Sequence, residues 1–460
     1  MKKFKVEKLL YILIILCPIL DMTSFIFRNT FNTNISPSTF VRPIIPIIVI
    51  IYIFIKDKNR WKIFGVGVIY GIYALVHIYL FSKIHNGSSY GGVVHEAQYI
   101  INYTFMILNL FLYMYMFKNN NIELKKGIII SSTIYITSIW FAIATGTSST
   151  TYIEGIGYKG WFESGNSLSA ILILSLFILL PLLKKKKAII VTLPLIGIYL
   201  TTQIGTRVGL YGFILVVALY VFIEFMYNLI HKKKINKKFI VAFLFLITIL
   251  AISILVLGSN TLARRRHIKQ ESMKSYDETN EEIAHLTGDV IRIKEAIEQD
   301  NLPNGYLSEP EKKAFIELYN IANEKQFSSN NQRLHQLVYN IFLVKEQKSL
   351  PLILFGNGYE NNFRELVLEM ELVSFILNFG ILGFLLYIGP FIAIMFYSLK
   401  NIIKYFRRLD VETIMLFLGS GFAYVLSLCS GYVFFNSSSM MIVIILHTCL
   451  VSNIIRMKEK

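Results

Sequence analysis

Two arginines stand at positions where a positive charge is costly unless an anion is close. Arg207 follows Gly205 and Thr206 between two apolar runs, and an arginine in apolar surroundings usually pairs with an ion or faces a polar cavity. Arg333 lies at the predicted start of a helix, where the helix dipole disfavours a cation unless an anion binds the free amides. We predict that both arginines hold an anionic ligand, although Arg207 could instead extend to lipid headgroups.

Further basic residues could add to such a site. Arg264, Arg265 and Arg266 form a run, and guanidinium groups match phosphate oxygens in shape and charge. The run could equally bind the phosphates of membrane lipids, and the two interpretations stay open. His335, two residues after Arg333, could assist an anion site, although a lone histidine is more often an ordinary surface residue.

Two carboxylates, Glu369 and Glu371, precede a long apolar run. If the helix has already begun there, the two side chains point about 160° apart and cannot share one metal ion. Glu369 would share a stripe with Gly380 and Gly383, where another helix can pack closely. Glu371 would point elsewhere, toward an arginine partner. Either carboxylate could be a general base, and a structural ion pair is the competing interpretation.

A Gly-x-Gly turn, Gly356-Asn357-Gly358-Tyr359, lies shortly before these carboxylates. Such a turn lets the backbone approach a ligand, but alone it is a weak indicator. The sequence has no phosphate-binding glycine loop, no His-Glu-x-x-His and no nucleophile elbow. Nucleotide and metal chemistry therefore have no support in the sequence.

Other ionisable residues are predicted to lie outside the site. Three inside apolar runs are interpreted as lone packing or snorkelling groups: Asp21, His77 and Glu224. Three more form a weak cluster in a predicted outer loop: His85, His95 and Glu96.

The elements that position these residues are predicted to cross a membrane. The chain has 460 residues, 54% hydrophobic and 16% charged, whereas soluble domains are about 45–50% apolar and about 25% charged. This composition excludes a soluble enzyme, a disulfide scaffold and a disordered protein. We predict an all-α integral membrane protein with about twelve transmembrane helices, at 9–28, 38–55, 62–83, 99–117, 127–146, 166–183, 188–204, 208–229, 239–258, 371–397, 412–434 and 437–455.

The basic residues predict the orientation of these helices. Counted along the chain with both termini included, every second connection between the predicted spans is basic. These connections hold 27 of the 46 lysines and arginines. Because basic residues stay on the cytoplasmic side, both termini are predicted to be cytoplasmic and the first span uncleaved. The net charge of +17 is then a topology signal, and no nucleic-acid partner is expected.

One long polar segment, residues 259–370, is predicted to face outside between the ninth and tenth spans. A capping box at Ser308-Glu309-Pro310-Glu311 predicts one helix. A second helix follows with an apolar face of Leu334, Leu337, Val338, Ile341 and Phe342. The predicted segments are therefore a transmembrane bundle (1–258), an extracellular helical lobe (259–370) and a second bundle (371–460). The lobe either helps to form a site or only shields the membrane domain.

The order of these motifs resembles the O-antigen polymerase and O-antigen ligase family of bacterial envelope glycan assembly. The matching pieces are Gly160-Trp-Phe-Glu-Ser-Gly-Asn166, Gly205-Thr-Arg207, Arg333, Leu354-Phe-Gly-Asn-Gly-Tyr359, Glu369-Met-Glu371 and Asn378-Phe-Gly-Ile-Leu-Gly383. The resemblance implies a GT-C-like membrane glycosyltransferase that takes oligosaccharide from undecaprenyl diphosphate, with no metal and no other cofactor. Ligase members typically carry a histidine where this chain has Glu369, so a Wzy-type polymerase is favoured. Glu371 stands where an aspartate is common.

The resemblance also implies roles for these residues. Arg207 and Arg333 would hold the departing diphosphate, and Glu369 would be nearest to a base. The predicted substrate-binding residues are Arg264, Arg265, Arg266, Glu371, Asn166, Gly356, Gly358, Tyr359 and His335.

The predicted function is polymerisation of undecaprenyl-diphosphate-linked repeat units into a capsular polysaccharide or exopolysaccharide at the outer face of the cell membrane. Expected partners are the lipid-linked oligosaccharide, the growing polysaccharide chain, the bilayer, and a chain-length regulator and flippase. Ligase-type transfer to another acceptor, a lipid-linked oligosaccharide flippase and a glycan-binding scaffold stay open. Internal repeats, common in transporters, are not found in the sequence.

Overall fold

The computed structural model describes residues 6–31, 36–56, 60–84, 92–152, 155–184, 186–231, 260, 263, 294–301, 307–325, 332–359 and 368–459. The predicted ninth span at 239–258 and the run Arg264–Arg266 lie outside these residues. The described part of the chain is mostly helical, as predicted.

The helices are numbered in chain order. They are α1 (Glu7–Phe31), α2 (Pro37–Lys56), α3 (Arg60–Ile84), α4 (Gly92–Phe117), α5 (Ile122–Ala144), α6 (Gly165–Leu183), α7 (Lys187–Ile204), α8 (Arg207–Ile230), α9 (Glu309–Glu324), α10 (Gln332–Gln347), α11 (Leu350–Phe355), α12 (Glu371–Asn378), α13 (Gly380–Tyr387), α14 (Gly389–Lys404), α15 (Val411–Cys429) and α16 (Ser437–Glu459). A short 3₁₀ turn covers Phe406–Arg408, and β1 (Ser149–Thr150) pairs antiparallel with β2 (Tyr158–Gly160).

Nine helices in the described ranges are long and apolar enough to cross a membrane. A bent pair, α13 and α14, meets at 50° and would make a tenth span, whereas the apolar part of α7, Thr192–Ile204, is shorter. The chain is therefore an all-α, multi-pass membrane protein. The number of twelve spans stays a prediction.

The chain divides into two compact units. Unit 1 comprises Met1–Arg60, Phe105–Arg264 and Phe391–Lys460, and unit 2 comprises Trp61–Thr104 and Arg265–Pro390. The predicted lobe boundaries at 259 and 370 stay a prediction.

In unit 1, α6 and α16 are the most buried spans. Their apolar side chains supply much of the core, because they pack against neighbouring helices on several sides. A tight turn joins α7 to α8: Gly205 has φ +78°, and the hydroxyl of Thr206 accepts the N–H of Gly209 at 3.1 Å. This turn ends one helix and places Arg207 at the start of the next.

The interpretation of Asp21, His77 and Glu224 as lone groups is wrong. Asp21 accepts hydrogen bonds from Arg42 and from the hydroxyl of Tyr135, each at 2.6 Å. Glu224 pairs with Lys184, and His77 lies 2.7 Å from a carboxylate oxygen of Glu96. Each acid or base has a partner because an isolated charge among apolar helices is too costly.

In unit 2, the lobe helices α9 and α10 pack on each other. The predicted capping box is confirmed, since the carboxylate of Glu311 accepts both the N–H and the hydroxyl of Ser308 at 2.7 Å. The buried core of this pair is Leu307, Ala314, Phe315, Leu318, Ala322, Tyr339 and Leu343.

The predicted apolar face of α10 is wrong in part. Ile341 is exposed, and the most buried side chains of the helix include the polar residues His335, Gln336 and Asn340. The predicted residues Val338 and Phe342 do pack against the core that α10 shares with α9. Sequence periodicity missed the buried polar residues, of which Gln336 contacts Glu369.

The predicted span 371–397 is not one helix. It is divided into α12, α13 and α14, and Gly380 has φ +71° at the first break. Glu369 precedes α12, whose N-terminal cap is Met370, so the predicted stripe of Glu369 with Gly380 is also wrong. Gly383 does allow a close approach, because an added Cβ would overlap the hydroxyl of Tyr73 on α3.

Candidate functional site

Arg333 and Glu369 form an ion pair in unit 2. The Nε and Nη2 atoms of Arg333 both donate to Oε2 of Glu369 at 3.3 Å. Arg333 lies in the first turn of α10, as predicted. The anion expected beside this guanidinium is therefore supplied by the chain itself, from a residue 36 positions later.

The same helix also holds the backbone of Glu369. Its N–H donates to Oε1 of Gln336 at 3.1 Å, and Gln336 is buried. Arg333 and Gln336 are three residues apart, so they share one face of α10. This face fixes Glu369 at both its main chain and its carboxylate.

The exposure of the pair leaves room for a ligand. The side chains of Arg333 and Glu369 are 34% and 33% exposed. An arginine has five N–H donors in a planar fork, so one guanidinium can contact a carboxylate and a phosphate oxygen together. The geometry thus combines an anion-binding group with a proton acceptor.

His335, two residues after Arg333 on α10, is buried, unlike the surface histidine that is the commoner case. Burial lowers the pKa of His335 below its usual value by desolvation of the charged form. Its imidazole is therefore neutral at pH 7. Glu371 is fully buried in the first turn of α12, where the helix dipole favours a carboxylate.

The Gly-x-Gly turn packs against the break between α12 and α13. The N–H groups of Asn357 and Gly358 donate to the carbonyls of Leu377 (3.3 Å) and Asn378 (2.8 Å). The hydroxyl of Tyr73 donates to the carbonyl of Phe379 at 2.6 Å. At such a break, carbonyls of the last helical turn lose their usual partners, and unsatisfied backbone is costly in apolar surroundings. The carbonyl of Phe379 also accepts the N–H of Gly383 at 3.2 Å. The turn therefore closes the break.

The two glycines of this turn are required by that contact. Gly356 and Gly358 have φ of +87° and +95°, a region that other residues rarely adopt. An added Cβ on Gly356 would overlap the carbonyl of Asn378, and one on Gly358 would overlap the ring of Phe81. A ligand contact of this turn stays a prediction.

Sequence reasoning missed His77 and Glu96 as a structural pair. Both are fully buried, and together they contact Phe355 and Tyr359, at the two ends of the turn. The sequence placed His77 in an apolar run and Glu96 in an outer-loop cluster. Glu96 instead lies in α4, and its pairing with His77 could not be read from the two positions.

Arg207 and Asn166 belong to unit 1. Arg207 is exposed, and within the described ranges its guanidinium makes no hydrogen bond or ion pair. Asn166, in the first turn of α6, donates to the carbonyl of Ser430 at 3.2 Å. The hydroxyls of Ser169 and Thr206 are 2.6 Å apart, so α6 supports the turn that carries Arg207.

A family model described as O-antigen ligase like membrane protein matches residues 3–458. The chain belongs to this family. Comparison with curated proteins gives no match. The family resemblance predicted from the order of the motifs is confirmed.

Membership of the O-antigen ligase like family assigns a glycosyltransferase-type activity at the membrane. The matched range contains Arg207, the Arg333–Glu369 pair and the turn at Gly356–Tyr359. Within the ranges that the structure describes, no three histidine, cysteine, aspartate or glutamate side chains are placed to hold a metal ion together.

Proposed function

We propose that this protein polymerises undecaprenyl-diphosphate-linked oligosaccharide repeat units into a capsular polysaccharide or exopolysaccharide at the outer face of the cytoplasmic membrane. The observation that carries the proposal is the partly exposed Arg333–Glu369 pair in a chain of the O-antigen ligase like family. A glutamate at this position, where ligase members typically carry a histidine, favours polymerisation over ligase-type transfer.

Arg333 and Arg207 act on the donor in this proposal. When the bond between the anomeric carbon and the phosphate oxygen breaks, its electron pair stays on the diphosphate. Fixed guanidinium groups stabilise that negative charge as it develops. Both arginines lie in the first turn of a helix, where main-chain N–H groups add to the attraction for phosphate.

Glu369 acts on the acceptor. An oxygen of an acceptor sugar hydroxyl bonds to the anomeric carbon, and its proton passes to the Glu369 carboxylate. In the structure this carboxylate contacts Arg333, so a bound diphosphate competes with Glu369 for the same guanidinium. Donor binding would loosen the carboxylate and make it available to the acceptor.

The other predicted residues have supporting roles in the proposal. His335 is a neutral neighbour of the pair, and Glu371 begins the helix that follows Glu369. Substrate contacts are proposed for Asn166, Gly356, Gly358, Tyr359 and the run Arg264–Arg266. A chain-length regulator and a flippase are proposed partners, because a polymerase needs its donor delivered to the outer face.

The test uses the purified protein in detergent with an undecaprenyl-diphosphate-linked repeat unit. We expect longer lipid-linked glycans together with released undecaprenyl diphosphate. Transfer only to an added, unrelated glycan acceptor would replace the proposal with ligase-type activity. Movement of the donor across a vesicle membrane without new glycosidic bonds would replace it with a flippase.

A further inference from the structure

The buried pair of His77 and Glu96 holds both ends of the turn from Phe355 to Tyr359. Nδ1 of His77 is 2.6 Å from the carbonyl oxygen of Phe355, and its Nε2 is 2.7 Å from Oε1 of Glu96. Both carboxylate oxygens of Glu96 accept the N–H of Tyr359, at 3.0 and 2.9 Å. Neither side chain of the pair is exposed.

The partners of the pair show where its protons lie. A carbonyl oxygen can only accept, so Nδ1 of His77 carries a hydrogen. Nε2 of His77 and Oε1 of Glu96 then share one proton, as imidazolium with carboxylate or as imidazole with carboxylic acid. Both forms have zero net charge, which is why complete burial is tolerated.

The turn held by this pair fixes one end of α12. Asn357 and Gly358 bond to the last carbonyls of α12, at Leu377 and Asn378. The helix has 8 residues, about 12 Å at 1.5 Å per residue, and Glu369 lies two residues before its other end. Because such a short helix moves as one piece, a shift of the turn also shifts Glu369.

Aromatic contacts help to hold the same turn. The ring of Tyr359 lies 4.5 Å from that of Tyr99, which is three residues after Glu96 on α4. The Tyr359 ring is also parallel to that of Phe379, at the helix break. The backbone bond from Tyr359 to Glu96 therefore fixes this ring as well as the turn.

We propose that Glu96 and His77 are positioning residues for glycan transfer, which hold the turn at Phe355–Tyr359 and, through α12, the carboxylate of Glu369. The inference rests on the proposed function, because it assigns these residues to the same reaction. Neither residue contacts the substrate, since both are fully buried.

Substitutions of Glu96 separate hydrogen bonding from charge. In Glu96→Gln the amide oxygen can accept from Tyr359 while the amide N–H donates to neutral His77, so the turn stays held. Glu96→Ala leaves two buried polar groups without this partner. Since a misplacement of about 1 Å can cost about 100-fold in rate, we expect Glu96→Ala to lower kcat by about 10- to 100-fold. The donor KM should rise by a smaller factor, because the same turn carries proposed substrate contacts. Glu96→Gln should restore most of kcat.

The matched control is Glu224→Ala in unit 1, which removes another buried carboxylate that pairs with a lysine. It should lower the melting temperature in detergent without changing kcat per folded protein. If Glu96→Ala does not fold, Glu96→Asp takes its place: it keeps the charge, shortens the side chain by one methylene, and must give a lower kcat than Glu96→Gln.

Two outcomes overturn the inference, and they are distinguishable. An active wild-type protein whose folded Glu96→Ala and Glu96→Asp variants keep the wild-type kcat would contradict the inference alone. A wild-type protein that transfers no glycan would contradict the proposed function and the inference with it.

Discussion

The two acid–base pairs of unit 2 differ in exposure, and this difference separates their roles. Arg333 and Glu369 are each about one-third exposed, whereas His77 and Glu96 have no exposed surface. A ligand can reach the first pair, which is why the proposed substrate contacts are assigned to it. The second pair can act only through the backbone that it holds.

The sequence placed Arg333 in the first turn of a helix, where a cation favours a nearby anion. It could not show that the anion is Glu369, since only the fold brings residues 36 positions apart together. The same holds for the pairing of His77 with Glu96, because the sequence placed His77 among lone groups in apolar runs and Glu96 in an outer-loop cluster.

His335 predicts a pH dependence of stability. Its pKa is lowered by burial, so below its usual value of about 6.5 the unfolded chain takes up a proton that the folded protein does not. Stability should therefore fall as the pH drops through 6.5. In His335→Gln we expect a smaller difference between the melting temperatures at pH 7.5 and pH 5.5.

The control for this prediction is His95→Gln, which changes an exposed histidine of α4. It should show the same pH difference as the wild-type protein. A His335→Gln variant with an unchanged pH difference would mean that His335 does not contribute.

The break between α12 and α13 could not be predicted from the periodicity of apolar residues. The run from Glu371 onward is apolar enough for one continuous helix, and Gly380 alone does not predict a break, since glycine also occurs inside membrane helices. The break is stable because the turn at Asn357–Gly358 and the hydroxyl of Tyr73 satisfy its carbonyls. These partners come from distant segments.

Gly380→Ala should destabilise this break. Gly380 has φ +71°, and an added Cβ would overlap the carbonyl of Leu354. The left-handed conformation alone costs about 1–2 kcal/mol for other residues, and the overlap adds to it. We expect a clearly lower melting temperature in detergent.

Gly421→Ala is the matched control, because its added Cβ would meet no atom closer than 3.7 Å and needs no unusual backbone. It should melt no lower than the wild-type protein, since alanine is favoured over glycine inside a helix. Equal melting temperatures for both variants would contradict the account of the break.

At the scale of the whole molecule, composition and run length predicted the class of the fold. Long apolar runs reflect the membrane around the protein and need no tertiary information. Five of the nine described spans therefore lie within three residues of their predicted limits at both ends, whereas α4, α5, α15 and α16 each differ by four to seven residues at one end. The assignment of α3 and part of α4 to the same unit as the lobe depends on packing, which the sequence does not show.

The predicted topology can be tested by cysteine labelling. Lys313, exposed on the lobe helix α9, and Lys458, exposed at the end of α16, are predicted to lie on opposite sides of the membrane. In a background with Cys429→Ser, which removes the exposed cysteine, a membrane-impermeant maleimide should label Lys313→Cys in intact cells. It should label Lys458→Cys only after lysis. Labelling of Lys458→Cys in intact cells would reverse the predicted orientation.

The proposed role of the Arg333–Glu369 pair in glycan transfer is tested by measuring the release of undecaprenyl diphosphate by purified variants. Removing one preorganised donor typically costs about 100- to 1000-fold in kcat. We therefore expect such a loss in Arg333→Ala, and little recovery in Arg333→Lys, because one ammonium cannot replace a planar fork. Lys312→Ala, which breaks an exposed pair with Glu309 on α9, should release carrier at the wild-type rate. Release by Arg333→Ala at the rate of Lys312→Ala would contradict the proposed role.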